Sequence, residues 1–265
     1  WTGSRTTEGP MRFDIITLFP ELFAPFMASG VTRRAFASGQ VDVRLWNPRD
    51  HAEGNYRRVD DRPFGGGPGM VMMAEPLARC LAAIRADRAE AVATRAPLVL
   101  FSPIGQRLDH GAVAQWSVSG GAILLCGRYE GIDQRFIDAE VDVQISLGYF
   151  VLSGGEIAAL ALLDAVARLQ PGVLGDEGSH QLDSFNPQLD GLLDCPHYTR
   201  PEVWEGRSVP GALLSGHHAH IELWRRAQRL RLTAQHRPDL IAAARAAGRL
   251  SAQDQRVLDD LAERL

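Results

Sequence analysis

From Met11 onward the chain alternates between short apolar runs and amphipathic stretches of helical period. "RFDIITLF" reads as a strand, and "PELFAPFMASG" as a helix with a proline near its start and Gly30 at its end. A strand follows in "VDVRLWN", then a glycine-rich segment, then a helix from about Ala74 to Arg85. Next come a strand "PLVLF" (97 to 101), a short helix near Asp109 to Trp116 and a strand "AILLC" (122 to 126). A helix near Ile132 to Ala139, the strand "VDVQIS" (141 to 146) and a long helix from about Gly155 to Arg168 close the series. This alternation predicts an α/β domain over residues 11 to 174, built on a mainly parallel sheet.

Residues 175 to 190 turn to Gly, Ser, Asp, Asn and Pro without periodicity, the composition of a flexible linker, and 176 to 186 are expected to be poorly ordered in the free protein. Residues 191 to 265 read as a small helical domain, clearest in "AHIELWRRAQRLRL" and "PDLIAAARAAG". "WTGSRTTEGP", residues 1 to 10, carries no apolar pattern and reads as an appended remnant or a disordered tail. No internal repeat or low-complexity tract is present.

Composition narrows the chemistry. With 45% hydrophobic and 23% charged residues the chain is ordinary for a soluble globular protein. All 28 basic residues are arginine, which removes Schiff-base chemistry, pyridoxal phosphate attachment and the lysine of a phosphate-binding loop. Cys80, Cys126 and Cys195 are odd in number and far apart, so neither a disulfide framework nor a zinc site is indicated. No metal ligand set is assigned; "HHAH" (217 to 220) reads as the start of a helix. "MRFDIITLFPELF" lacks the pattern of a signal peptide and no apolar run reaches membrane-spanning length, so a cytoplasmic protein without a membrane partner is expected. A net charge of −4 does not advertise a polyanion site, which must come from local clustering.

Ligands of open parallel sheets bind beyond the carboxyl ends of the strands. Three exits there carry glycine: "SPIGQ" (102 to 106), "CGRYEGID" (126 to 133) and "SLGYFVLSGGE" (146 to 156). Backbone groups can meet a ligand at such glycines, while Tyr129, Tyr149, Phe150, Val151 and Leu152 supply apolar surface for a flat ring. The segment "RPFGGGPGM" (62 to 70) resembles a phosphate cradle, but Met70 follows Gly69 where Lys and Ser/Thr would be required.

In order, "LFPELF", "NPRD", "VDDRPFGGGPGMVM", "CGRYEGID", "VLSGGE", "PGVLG" and "GLLDCPHYTRPEVWEG" resemble the bacterial tRNA (guanine-N1-)-methyltransferases, the TrmD family of the SPOUT superfamily. The resemblance implies a parallel sheet with a deep trefoil knot, followed by a helical tRNA-binding domain, and a homodimer whose active sites are shared between chains. It implies methyl transfer from S-adenosylmethionine to N1 of guanine 37 of tRNA, with a dependence on magnesium. By motif match, Pro103, Gly127, Glu130, Leu147, Gly148, Tyr149, Phe150, Val151 and Leu152 would form the cofactor pocket. Gly65, Gly66, Gly67, Pro68 and Gly69 would lie against the target base, whose flipped nucleotide needs a close approach.

Removing the N1 proton requires a carboxylate base, and charge developing on O6 requires a cation. The resemblance assigns these to Asp183 in "LDSF" and Arg168 in "AVARLQPG". Residues alone leave Asp183 open as a helix N-cap, and Arg168 as a helix C-terminal cation. His197, Tyr198 and Arg200 of "HYTRP" would face the tRNA. Seven arginines and one acidic residue lie between Arg225 and Arg249, with Arg225, Arg226 and Arg229 on one helix face with Glu222, either a solvated face or an RNA surface. The chain reads Gly148-Tyr149-Phe150 where the family usually carries Gly-Asp-Tyr, so a SPOUT enzyme for another RNA base and a non-catalytic RNA-binding relative stay open.

Overall fold

The computed structural model describes residues 11–91, 95–175 and 179–262, and the N-terminal segment 1–10 lies outside the described residues. The chain forms two compact units, one ending at Gly175 and the other beginning at Asp176.

The first unit opens with β1 (Met11–Ile16), the short helices α1 (Phe23–Met27) and α2 (Arg33–Ala37), and β2 (Val41–Trp46). A small antiparallel pair, β3 (Asp60–Asp61) and β4 (Val71–Met72), brackets the glycine-rich segment and leads into α3 (Ala74–Ala91). Then follow β5 (Leu98–Arg107), α4 (His110–Ser117), β6 (Gly121–Leu125), α5 (Gln134–Glu140), β7 (Val143–Ser146) and α6 (Glu156–Ala167). β2, β1, β6, β5 and β7 lie side by side in that order and pair in parallel throughout, confirming the α/β class.

Both faces of the sheet are covered, which is why its inner strands read as continuous apolar runs. Phe13, Ile15, Val99, Ala122 and Leu124 point to one face, where Val113 and Trp116 of α4 and Leu162, Leu163 and Val166 of α6 bury against them. Ile16, Leu98, Leu100, Ile123 and Leu125 point to the other, against Leu77, Leu81 and Ile84 of α3 and Phe136 of α5. On that second face Asp14 is fully buried, and it accepts hydrogen bonds from Arg12 Nη2 (2.7 Å), Arg88 Nε (2.6 Å) and Trp46 Nε1 (2.8 Å). A buried carboxylate is tolerated only with such partners.

"SPIGQ" differs from its expected role as a strand exit. Phe101 and Gln106 both pair with Ile145, so β5 resumes after an excursion of the intervening residues. A Cβ on Gly105 would sit 2.5 Å from the Gln144 carbonyl carbon, so glycine is needed where this excursion crosses the backbone of β7.

In the second unit, residues 179–192 form two short 3-10 turns, Ser179–Leu182 and Pro187–Leu189, tied by Asn186 Nδ2 donating to the His180 carbonyl (2.9 Å). Of the stretch expected to be poorly ordered, residues 176–178 lie outside the described residues. The second unit is not wholly helical. β8 (Val203–Trp204) and β9 (Arg207–Ser208) form a hairpin around Glu205 (φ 50°) and Gly206 (φ 76°), the paired left-handed residues of a tight hairpin turn. The helices α7 (Gly211–Leu214), α8 (His218–His236), α9 (Pro238–Ala246) and α10 (Ala252–Ala262) follow. Leu192, Leu230, Ile241, Ala244 and Leu258 make its core.

Candidate active site

A cavity of about 310 Å³ opens at the mid-strand excursion of β5 and beyond the carboxyl ends of β6 and β7. Its walls come from Leu100–Pro103 and from the glycine-bearing segments Gly127–Ile132 and Ser146–Gly155, the last without Tyr149. Their mutual fit depends on backbone contact. Gly155 N–H donates to the Gly127 carbonyl (3.0 Å), and a Cβ on Gly155 would lie 2.7 Å from Cys126 Cα. Glu156 then begins α6, so the cavity borders a helix start.

The glycine-rich segment is fastened to the same rim. Glu130 N–H donates to the Met70 carbonyl (3.0 Å), Met72 N–H to the Gly131 carbonyl (2.9 Å) and Asp133 N–H to the Met72 carbonyl (3.0 Å). Gly69, at φ +79°, presents its bare Cα to the Glu130 side chain. Gly65, Gly66 and Gly67 also take positive φ and have open space around them.

Tyr129, on the cavity wall, adopts the left-handed conformation (φ 61°), costly for a residue with a side chain and characteristic of functional segments. Burial raises its phenol above the usual value, and a hydrogen bond with Asp60 adds to the shift. Burial also pushes the Cys126 thiol well up, with the nearby Glu156 charge adding to it, so Cys126 is no thiolate nucleophile. Cys80 and Cys195 are buried too, the former pushed up to about 12 by burial.

The cavity brings together eight of the nine residues expected to hold a cofactor: Pro103, Gly127, Glu130, Leu147, Gly148, Phe150, Val151 and Leu152. Tyr149 is not among its walls, and its side chain is fully exposed. Arg168 caps the C-terminus of α6 in helical conformation, with its N–H on the Asp164 carbonyl (3.0 Å), as a helix-terminal cation. Asp183 follows the first 3-10 turn of the second unit, and its carbonyl accepts from Asn186 N–H (3.2 Å); the next turn is capped by Asn186. Sequence reasoning singled out neither Arg128 nor Glu156, although both lie in its motifs. Their signal was a charged residue inside a segment that packs too closely to leave it in water.

The family described as tRNA (Guanine-1)-methyltransferase TrmD matches residues 11–243, and the cavity's three wall segments fall inside that match. The chain belongs to the TrmD family. A TrmD relative from Paracidovorax citrulli, named tRNA (guanine-N(1)-)-methyltransferase, is 77% identical over 251 residues, covering 95% of this chain and 98% of the relative. Proteins of the same name from a Polaromonas species (71% identical, 96% and 98% covered) and a Janthinobacterium species (53% identical, 95% and 100% covered) are similar over the same extent. The TrmD match spans both compact units as far as α9.

In the second unit His197 Nε2 lies 2.8 Å from Asp194 Oδ2, and Tyr198 packs edge-on against Trp224 at 6.1 Å. The arginine-rich face of α8 divides. Arg225 pairs with Glu222 (2.7 Å), as a solvated face would. Arg229 is buried against Asp194 (3.3 Å), and Arg226 bridges Asp190 (2.8 Å) and Asp254 (2.8 Å). Arg226 therefore ties α8 to α10 and both arginines tie it to the segment before the hairpin, a correction to reading the whole face as an RNA surface. Asp194, Cys195 and His197 are close enough to share an ion, but a thiol and an imidazole do not suit magnesium, which takes oxygen ligands. No described helix is long and apolar enough to cross a membrane.

Proposed function

We propose that this protein transfers a methyl group from S-adenosylmethionine to N1 of guanine 37 in tRNA. The observation that carries the reading is the coincidence of the family match over 11–243 with a cavity walled by the β5 excursion and two glycine-bearing loops at the carboxyl edge of a parallel sheet. The cavity suits the cofactor: apolar side chains of Leu100, Ile132, Ile145 and Leu152 offer walls for a purine, backbone groups of 127–131 offer polar edges, and the Glu130 carboxylate offers a counter-charge to a cationic ligand. Bound there, the cofactor would supply an electrophilic methyl group.

In this reading Gly65 to Gly69 admit the flipped guanine, and the Asp183 carboxylate takes the N1 proton as the nitrogen becomes nucleophilic. The Arg168 guanidinium stabilises charge accumulating on O6, a role suited to a cation at a helix terminus that can also form directional hydrogen bonds. The second unit binds tRNA through His197, Tyr198, Arg200 and the solvent-facing arginines of 225 to 249. The expected trefoil knot, the cytoplasmic location and a shared-site homodimer belong to the same proposal. Phe64, Ile104, Tyr149, Val151 and Ile157 are each more than half exposed, apolar surface of the kind that self-association covers.

The test is transfer of labelled methyl from S-adenosylmethionine to two unmodified tRNA transcripts, carrying guanine or adenine at position 37. Label on the guanine transcript alone is expected. Equal labelling of both, or of neither, sinks the assignment.

A further inference from the structure

Glu156 is a carboxylate with 1% of its side chain exposed, at the first turn of α6 and behind the cavity wall. Its Oε1 accepts from Thr17 Oγ1 (2.9 Å), at the end of β1, and Thr17 Oγ1 in turn accepts from Phe19 N–H (2.9 Å). Its Oε2 lies 2.9 Å from Arg128 Nη2, close enough for an ion pair although no donor hydrogen points at it. Arg128 belongs to the 127–132 wall. Its Nη1 donates to the Ser153 carbonyl (3.2 Å) on the opposite wall, and its guanidinium lies over the Phe19 ring at 4.4 Å. Gly154 makes room for it: a Cβ there would stand 2.6 Å from Arg128 Cζ.

Burying an ion pair is a poor way to gain stability, since apolar packing of the same volume holds as well, but a buried carboxylate fixes where the opposing guanidinium must lie. Here the Arg128 guanidinium joins the two walls of one cavity, and through Glu156 and Thr17 the end of the first strand. We infer that Thr17, Glu156 and Arg128 are positioning residues that hold the two loops at cofactor-binding separation, with Glu156 as the fixed anchor. They act on binding of S-adenosylmethionine through the loops; chemistry at the base lies elsewhere. The inference rests on the reading that this cavity holds the cofactor.

Glu156→Gln keeps the shape and the Thr17 hydrogen bond and removes the charge facing Arg128. Steady-state kinetics on full-length protein should show KM for S-adenosylmethionine raised about tenfold, as loosened positioning does, with kcat at saturating cofactor within about threefold of wild type. Thr17→Val should raise the same KM and Thr17→Ser restore it, while Arg128→Lys should raise it too, because an ammonium lacks the planar guanidinium that reaches Ser153 and Glu156 at once. A merely structural role would lower the melting temperature and leave this split unmoved. Folded Glu156→Gln and Thr17→Val proteins with wild-type KM, or with the loss confined to kcat, overturn the inference. Should Glu156→Gln not fold, the Thr17→Val and Thr17→Ser pair decides. Wild-type protein that binds no S-adenosylmethionine in calorimetry overturns the functional reading itself, a result distinct from variants that match an active wild type.

Discussion

Replacing Gly69 by alanine places a methyl group where the Glu130 side chain now rests. The built Cβ would meet Glu130 Oε1 at 2.5 Å and Cδ at 2.8 Å, so the carboxylate must leave its place on the cavity rim. Two costs follow, and they separate experimentally. Holding alanine at φ +79° costs about 1 kcal/mol of stability, read as a shift in the urea midpoint. If Glu130 meets the cofactor as proposed, moving the carboxylate forfeits a charge-assisted contact worth roughly 1.5–3 kcal/mol, and affinity for S-adenosylmethionine should fall about ten- to hundredfold in calorimetry. The double variant with Glu130→Ala identifies the cause, because a methyl group acting only through Glu130 adds nothing once that side chain is gone. Wild-type affinity in Gly69→Ala, or penalties that simply add in the double variant, would refute the coupling of the glycine segment to the pocket.

Two further predictions concern stability and assembly. Arg226 holds the Asp254 carboxyl down at about 2 from an ordinary 3.8, with the Ser251 backbone N–H and hydroxyl assisting. A depressed carboxyl contributes stability above its unfolded value and loses it as the pH falls through the folded one. Asp254→Asn should therefore cost about 2 kcal/mol at pH 7, with the difference from wild type shrinking as pH falls from about 4 toward 2; a difference independent of pH in urea titrations would contradict the assignment. Tyr149→Ser should change the unfolding free energy by no more than about 0.5 kcal/mol in urea titration, because the side chain is fully exposed, yet weaken the proposed self-association in sedimentation. An unchanged sedimentation profile would remove Tyr149 from the proposed self-association surface.

Much of the first unit was legible because its physics is local. β1 and β6 are buried along their whole length, the edge strand β2 alternates apolar and charged residues, and Asp109 announces α4 by accepting from Ala112 N–H (2.8 Å) as its cap. Less local features were not. α3 runs on to Ala91 because "ADRAEA" is built of good helix formers despite its polarity. β5 continues past "SPIGQ" because an excursion and re-pairing depend on β7, forty residues on, and leave no period in the chain. Arg226 and Arg229 looked like solvated cations, and only the fold shows the acidic partners that turn them inward. The candidate site divides in the same way. Two of its glycine-bearing loops could be read from strand exits, whereas the proposed roles of Asp183 and Arg168 came from the family motifs, and the Thr17–Glu156–Arg128 arrangement depends on residues that meet only in the fold.

The most direct test of the central claim is nucleoside analysis by mass spectrometry of a guanine-37 tRNA transcript treated with wild type, Asp183→Ala or Arg168→Ala and S-adenosylmethionine. The account predicts N1-methylguanosine, mapped to position 37, from wild type. It also predicts a loss of rate of at least about a hundredfold in either variant, with cofactor affinity retained. A methyl group on another base or another atom of guanine, or undiminished N1-methylguanosine from Asp183→Ala, would contradict it.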